Sequence, residues 1–239
     1  MGMEALLASG LEQQGLAGCV PADAPALLDR YGAALLEKNQ VMNLTAITQP
    51  QDVATLHLLD CAALLDCGRL PGKTLIDVGT GAGFPGMVLK LLVPSLSVTL
   101  LDGLQKRLDW LESLALQWGL SGLQCLHARA EEAGREASLR EQFDFATARA
   151  VADLRLLCEL CLPFVKVGGR FLAMKSVNCD PEMDAARPAI QALGGQLAGI
   201  YDYTIPHTQV RHRVVVVDKI APTPAAYPRR WAKIQKAPL

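Results

Sequence analysis

Residues 74–86 read TLIDVGTGAGFPG. An apolar run closes on an aspartate, and glycines then stand at 79, 81, 83 and 86. Two phases compete for this turn. Gly81 to Gly86 fits G-x-G-x-x-G, the phosphate-binding turn of dinucleotide proteins. Asp77 to Gly83 fits D-x-G-x-G-x-G, a turn suited to S-adenosylmethionine (SAM). In either case glycine lets the backbone approach a ligand with no Cβ in the way. The apolar strand ends at Val78, so the tight turn starts at Gly79. A dinucleotide fingerprint counted from Gly79 needs glycine at position 84, where Phe84 stands; counted from Gly81, it starts two residues late. A carboxylate at 77 repels a pyrophosphate and tolerates a sulfonium and an ammonium. Asp102, at the end of the next strand, suits ribose hydroxyls, which both ligands carry. The phase favours SAM.

Outward from this turn, the chain alternates strand and helix. Strands are expected at 74–78, 97–102, 123–128, 143–148, 170–175, 196–205 and 211–219. Helices are expected at 85–92, 104–118, 131–140, 153–162 and 181–193. Five βα steps followed by a strand pair describe an α/β chain with a doubly wound, mostly parallel seven-stranded sheet and one antiparallel strand. Ligands of such sheets bind beyond the C-terminal ends of the strands, which places the glycine turn in the site. Before residue 74 only helical spacing occurs, at 23–38 and 50–66, and Pro71-Gly72 marks the break. The expected division is 1–72 as a helical extension, 73–220 as the SAM-binding domain and 221–239 as a basic, proline-containing extended arm.

The 239 residues are 51% hydrophobic and 20% charged, which excludes a disordered chain. No apolar stretch is long enough to span a membrane, and MGMEALLASG lacks the basic start of a signal peptide. The seven cysteines are irregularly spaced. Cys158 and Cys161 fall on an apolar helix face with no second ligand pair nearby, so they read as structural thiols and no metal is expected. A reducing, cytoplasmic location follows. The net charge of −1 conceals an asymmetry. Residues 205–239 hold Arg211, Arg213, Lys219, Arg229, Arg230, Lys233 and Lys236 against Asp218 alone. Such a tail is either a polyanion contact or a solvated segment.

The segments KNQVMNLTAI (38–47), HLLDC (57–61), DVGTGAGFPG (77–86), LLDGLQKR (100–107), ARAEE (128–132), ARAVADL (148–154), AMK (173–175) and RHRVVV (211–216) resemble the RsmG (GidB) family from about residue 25 onward. These are bacterial 16S ribosomal RNA guanine-N7 methyltransferases. The resemblance implies a Rossmann-like, SAM-dependent methyltransferase fold. It also implies 16S rRNA as substrate, within a small-subunit particle. By the same resemblance, Gly79, Phe84, Asp102, Gly103, Leu104, Ala130, Glu131 and Arg149 hold SAM. Arg149, His57 and Lys175 become candidates beside the reacting atoms. Lys175, Arg211, His212, Arg229 and Arg230 become candidate RNA contacts. Two departures stand out: Cys61 replaces the family's serine, and Trp231-Ala232-Lys233 replaces the usual Gly-Thr-Pro of the tail.

Position 149 also bears on which atom is methylated. The end of the fourth strand lacks the Asn/Asp-Pro-Pro-aromatic of amine methylation, and the chain has no Pro-Cys pair for attack at cytosine C5. Guanine N7 has an in-plane lone pair and no proton to lose, so it needs alignment rather than a base. This is compatible with N7 chemistry without being diagnostic of it. A small-molecule methyltransferase and a non-catalytic nucleotide-binding regulator remain the competing classes. The basic tail argues against the former, and the intact Asp77, Asp102 and Arg149 against the latter.

Overall fold

The strands of the computed structural model, which describes residues 2–239, are β1 Thr74–Val78, β2 Ser97–Asp102, β3 Leu123–His127, β4 Phe143–Arg149, β5 Val165–Ser176, β6 Gly195–Thr204 and β7 Arg211–Lys219. They form one sheet in the order β3-β2-β1-β4-β5-β7-β6. The β1–β2, β2–β3, β1–β4 and β4–β5 pairs are parallel. β7 enters antiparallel between β5 and β6. The strand order reverses at β1 and β4, so the crevice for a ligand opens above the ends of these two strands.

The helices are α1 Met3–Gln13, α2 Ala24–Met42, α3 Pro50–Val53, α4 Asp60–Ala62, α5 Gly86–Leu92, α6 Gln105–Gln117, α7 Ala130–Ala133, α8 Leu154–Cys161, α9 Asp180–Ala192 and α10 Trp231–Lys236. One hydrophobic cluster joins Leu7, Leu28, Leu35 and Leu58 of the N-terminal helices to Leu75, Leu100 and Leu111 on one face of the sheet. A second cluster, with Leu157, Phe164, Phe171, Ile190 and Ile234, covers the other face. Residues before β1 therefore bury the same sheet face that α5 and α6 bury. Among the described residues no helix is long and apolar enough to cross a membrane.

Four local differences from the sequence reading have physical causes. Helix α1 lies outside the expected elements; it buries only Leu7, Gly10 and Leu11, and Gly10 is needed because a Cβ there would collide with Leu59. The segment 50–66 is helical but not uniformly α. It passes through a π-helical stretch at Ala54–Leu59 and a 3-10 stretch at Ala63–Cys67, and π turns often mark functional positions. The expected helix at 131–140 is a single turn that stops at Gly134. The tail is not wholly extended: Trp231–Lys236 form α10, and Ile234 is buried.

Candidate active site

The glycine turn is organised from below by Asp77 and from the side by α2. Asp77 is fully buried; its Oδ2 accepts from the Thr80 hydroxyl at 2.6 Å and the Gly86 N–H at 2.8 Å. Its Oδ1 is buried without a hydrogen-bond partner. Burial pushes the carboxyl up to about 6, against the pull of those two hydrogen bonds and of Arg149. The Tyr31 hydroxyl donates to the Ala82 carbonyl of the turn. Its ring stacks on Trp110 at 6.2 Å and tilts against Phe84 at 5.7 Å. Helical spacing alone places Tyr31 merely on an apolar helix face, since nothing in it reveals a hydroxyl aimed at a distant loop.

Two cavities meet at this turn. A cavity of about 370 Å³ is lined by Leu44, Thr45, His57, Thr80, Phe84 and Arg149, among others. A second, of about 250 Å³, lies over the ends of β1–β3 against Gly103, Ala130 and Glu131. Gly79, Asp102 and Val151 belong to both and form the neck between them. Gly79 has φ +73, and a Cβ there would lie 2.8 Å from Val151 Cγ2, across the neck. Asp102 accepts from the Gly81 N–H through Oδ2 and the Leu104 N–H through Oδ1, both at 2.8 Å. Leu104 itself is exposed and lines neither cavity; its part is that N–H.

A third cavity of about 370 Å³ opens on the other side of Arg149, lined by His57, Asp60, Met174, Lys175, Glu182 and His212 with others. Arg149 and His57 thus stand between the first and third cavities. Asp60, nearly inaccessible, holds this wall together. It accepts from Arg149 at 3.1 Å, the Tyr203 hydroxyl at 2.7 Å and His212 Nδ1 at 2.8 Å. Burial raises its carboxyl, but His212, Arg149 and Tyr203 together outweigh that and hold it below its ordinary value. The same pairing raises His212.

The state of His57 follows from its partners. Arg149 Nη2 lies 3.0 Å from His57 Nδ1, and a guanidinium only donates. Nδ1 therefore accepts, and Nε2 carries the hydrogen donated to Thr45 Oγ1 at 2.8 Å. Burial, then the charge of Arg149, lower the imidazole to about 4, so it is neutral at pH 7. Thr45 Oγ1 also accepts the Ile47 N–H at 3.0 Å, which leaves the Thr45 proton as its remaining donor, on the wall of the first cavity. Phe84 packs flat against His57 at 4.6 Å and under the Arg149 guanidinium at 4.8 Å. With both imidazole nitrogens engaged, His57 is a wall rather than a base.

Comparison with known proteins gives the family. The family model described as rRNA small subunit methyltransferase G matches residues 25–210. The chain belongs to that family. It is 44% identical to the ribosomal RNA small subunit methyltransferase G of Symbiobacterium thermophilum, over 99% of this chain and all of the relative. It is 42% identical to the protein of that name from Clostridium perfringens, over 87% of this chain and 88% of the relative. Among solved structures, geranyl diphosphate C-methyltransferase from Streptomyces coelicolor, in complex with S-adenosyl-L-homocysteine, superposes with TM-score 0.51 at 13% identity. That match covers 67% of this chain and 78% of the other, and shows the shared fold. The protein is a Rossmann-like methyltransferase of small-subunit ribosomal RNA.

The cations of this methyltransferase divide into two groups. Lys175 lines the third cavity, where its ammonium pairs with Glu182 at 2.6 Å and donates to the Ala152 carbonyl at 3.1 Å. Arg211, Arg230, Lys233 and Lys236 are exposed. Arg213 is buried against Asp202 and Asp180, and Lys219 against Leu162, Thr223 and Glu141. Arg229, expected as an RNA contact, is engaged within the chain. It wraps the buried Glu159 carboxylate with Nε at 2.8 Å and Nη2 at 2.6 Å, so its charge is met by a carboxylate of the protein. Cys158 and Cys161 are free, buried thiols, and burial pushes the Cys158 thiol well up.

Proposed function

We propose that this enzyme transfers a methyl group from SAM to N7 of a guanine in 16S rRNA, acting on the small-subunit particle in the cytoplasm. The observation that carries the reading is the wall between the first and third cavities. It contains Arg149, His57 and Phe84, and none of them has a free basic atom. N7, with its lone pair in the ring plane and no proton to lose, needs no base in this wall, only alignment with the methyl group.

The pair of joined cavities fits SAM. The neck closes if Gly79 gains a Cβ, and the buried Asp77 carboxylate with its unpartnered oxygen lends the turn a negative field that favours a cationic ligand. In this reading Asp102 holds the ribose, with Gly103, Ala130 and Glu131 around the adenine. Gly79, Phe84 and Arg149 line the part that carries the methyl group. When bound, SAM supplies an electrophilic methyl on a sulfonium. The chain's own residues orient the base in the third cavity. Lys175 and His212 line that cavity beside the base, while Arg211 and Arg230 meet phosphates.

The test is methyl transfer with position mapping. Labelled SAM is incubated with the enzyme and small-subunit particles lacking the modification, and the product is digested to nucleosides. Label in 7-methylguanosine at a single position is expected. Label on an exocyclic amine or a ribose, or none in RNA, would overturn the reading.

A further inference from the structure

The 250 Å³ cavity over β1–β3 has one wall from far along the chain. Gly79, Asp102, Ala130, Glu131 and Leu160 come from the sheet and its helices, while Trp231 comes from the tail. The indole is not there by loose packing, because anchors hold the chain on either side of it. On one side, the Arg229 guanidinium and its N–H grip Glu159, whose carboxylate is almost wholly buried. On the other, Ile234 is buried in the second hydrophobic cluster. Upstream, Arg140 donates to the carbonyls of Thr223 at 2.6 Å and Tyr227 at 2.8 Å, and Arg135 to that of Pro228 at 2.7 Å. These contacts fix the tail, and with it the indole, against the sheet.

The chemistry of the remaining walls says what a flat aromatic does here. Ala130 and Leu160 are apolar and small or aliphatic. Glu131 is buried, and its carboxylate meets Arg129 at 3.3 Å. The Arg129 guanidinium lies 5.7 Å from the indole centroid. An aromatic face beside an acceptor and a guanidinium is a setting for a planar base with polar edges, since bases stack on aromatic rings whatever their identity. We propose that Trp231 forms a wall of the adenine pocket, so that the C-terminal tail completes the cofactor site. This rests on the reading that the cofactor is SAM. It gives the replacement of the family's glycine by Trp231 a purpose, and it contradicts the view of the tail as an appendage that only faces RNA.

The test is calorimetric titration of S-adenosylhomocysteine into the full-length protein and the variants W231A and W231F, with tryptophan emission followed in parallel. Trp231→Ala is expected to weaken binding by about tenfold or more, and Trp231→Phe by no more than about threefold, because the ring is kept. Emission separates a direct contact from a structural role. Trp110 and Trp118 remain in W231F, and Trp110 stacks on Tyr31 beside the glycine turn, so the ligand-induced change seen in the full protein is expected to shrink to the part these two report, although W231F still binds. Equal affinity in W231A, or an emission change in W231F as large as that of the unaltered protein, would overturn the inference. Absence of binding to the unaltered protein would instead sink the cofactor reading beneath it.

Discussion

Asp60→Asn tests whether the wall between the cavities is held by one buried carboxylate. The change keeps the shape and removes the charge. Asparagine offers one carbonyl oxygen where Asp60 now receives Arg149, Tyr203 and His212. Its NH2 group, which only donates, cannot accept from any of the three. Arg149, whose side chain is 15% exposed, is left without a counter-ion. Breaking a buried pair in this way costs about 3–5 kcal/mol. In a chain of this size that lowers the melting temperature by roughly 6–20 °C. The pH dependence supplies a second sign. His212 is raised in the folded protein, so its contribution is fully present below the ordinary histidine value and is lost as pH rises through the raised one. Asp60 is lowered, so its contribution is present above the ordinary carboxylate value and is lost as pH falls through the lowered one. Both slopes should flatten in the variant. Urea denaturation from about pH 2 to pH 8, which spans both windows, with thermal scans at pH 7, measures this. A loss below about 1 kcal/mol, well under the buried-pair range, together with an unchanged slope would refute the account.

Two further outcomes follow from the same geometry. Asp102→Ala should weaken SAM binding by about 1–3 kcal/mol, read by calorimetry; unchanged affinity would remove Asp102 from the ribose. Replacing Arg230, Lys233 and Lys236 together by glutamine leaves the buried Arg229–Glu159 anchor intact, and should lower the slope of log K against log salt for RNA by up to about 2–3. An unchanged slope would return these three cations to bare solvation.

The sheet was legible because each of its strands carries its own signal. TLIDV, SVTLLD and RHRVVVVDK are apolar runs bounded by turn residues, and their structural limits coincide with the expected ones. The site was legible in part, because a doubly wound sheet assigns strand ends to the ligand before any contact is known. Arg149 and Asp102 could be picked on that ground. What escaped were partnerships across the fold. No local pattern couples Asp60 to Tyr203 and His212, or Tyr31 to the carbonyl of Ala82. The charge count of the tail misled for the same reason. Arg213, Lys219 and Arg229 look identical to solvated cations until Asp202, Glu141 and Glu159 are brought to them.

Asp77 offers the sharpest conflict between stability and ligand binding. Its charge is buried, one oxygen has no partner, and its carboxyl is pushed up to about 6. A carboxyl raised in the folded state works against folding once it ionises: the folded protein holds the proton more tightly, so stability falls as pH rises from the ordinary value of about 4 through about 6. Holding a carboxyl one pH unit above its ordinary value costs about 1.36 kcal/mol once it is ionised, so the cost above that window is up to about 3 kcal/mol. Asp77→Asn removes the charge and keeps a carbonyl oxygen for Thr80 and Gly86. The variant should therefore be no less stable than the unaltered protein at pH 7.5. A ligand with a sulfonium and an ammonium should nevertheless bind it more weakly, because the negative field under the glycine turn is gone. At pH 5, about a unit below the raised value, the unaltered protein is itself largely neutral at this position, and the two affinities should draw together. Calorimetry with SAM at both pH values, beside urea denaturation, reads all of these. Equal binding at pH 7.5 would mean that the buried charge serves the turn alone, and that the aspartate before the glycines selects the conformation of the loop rather than the charge of its ligand.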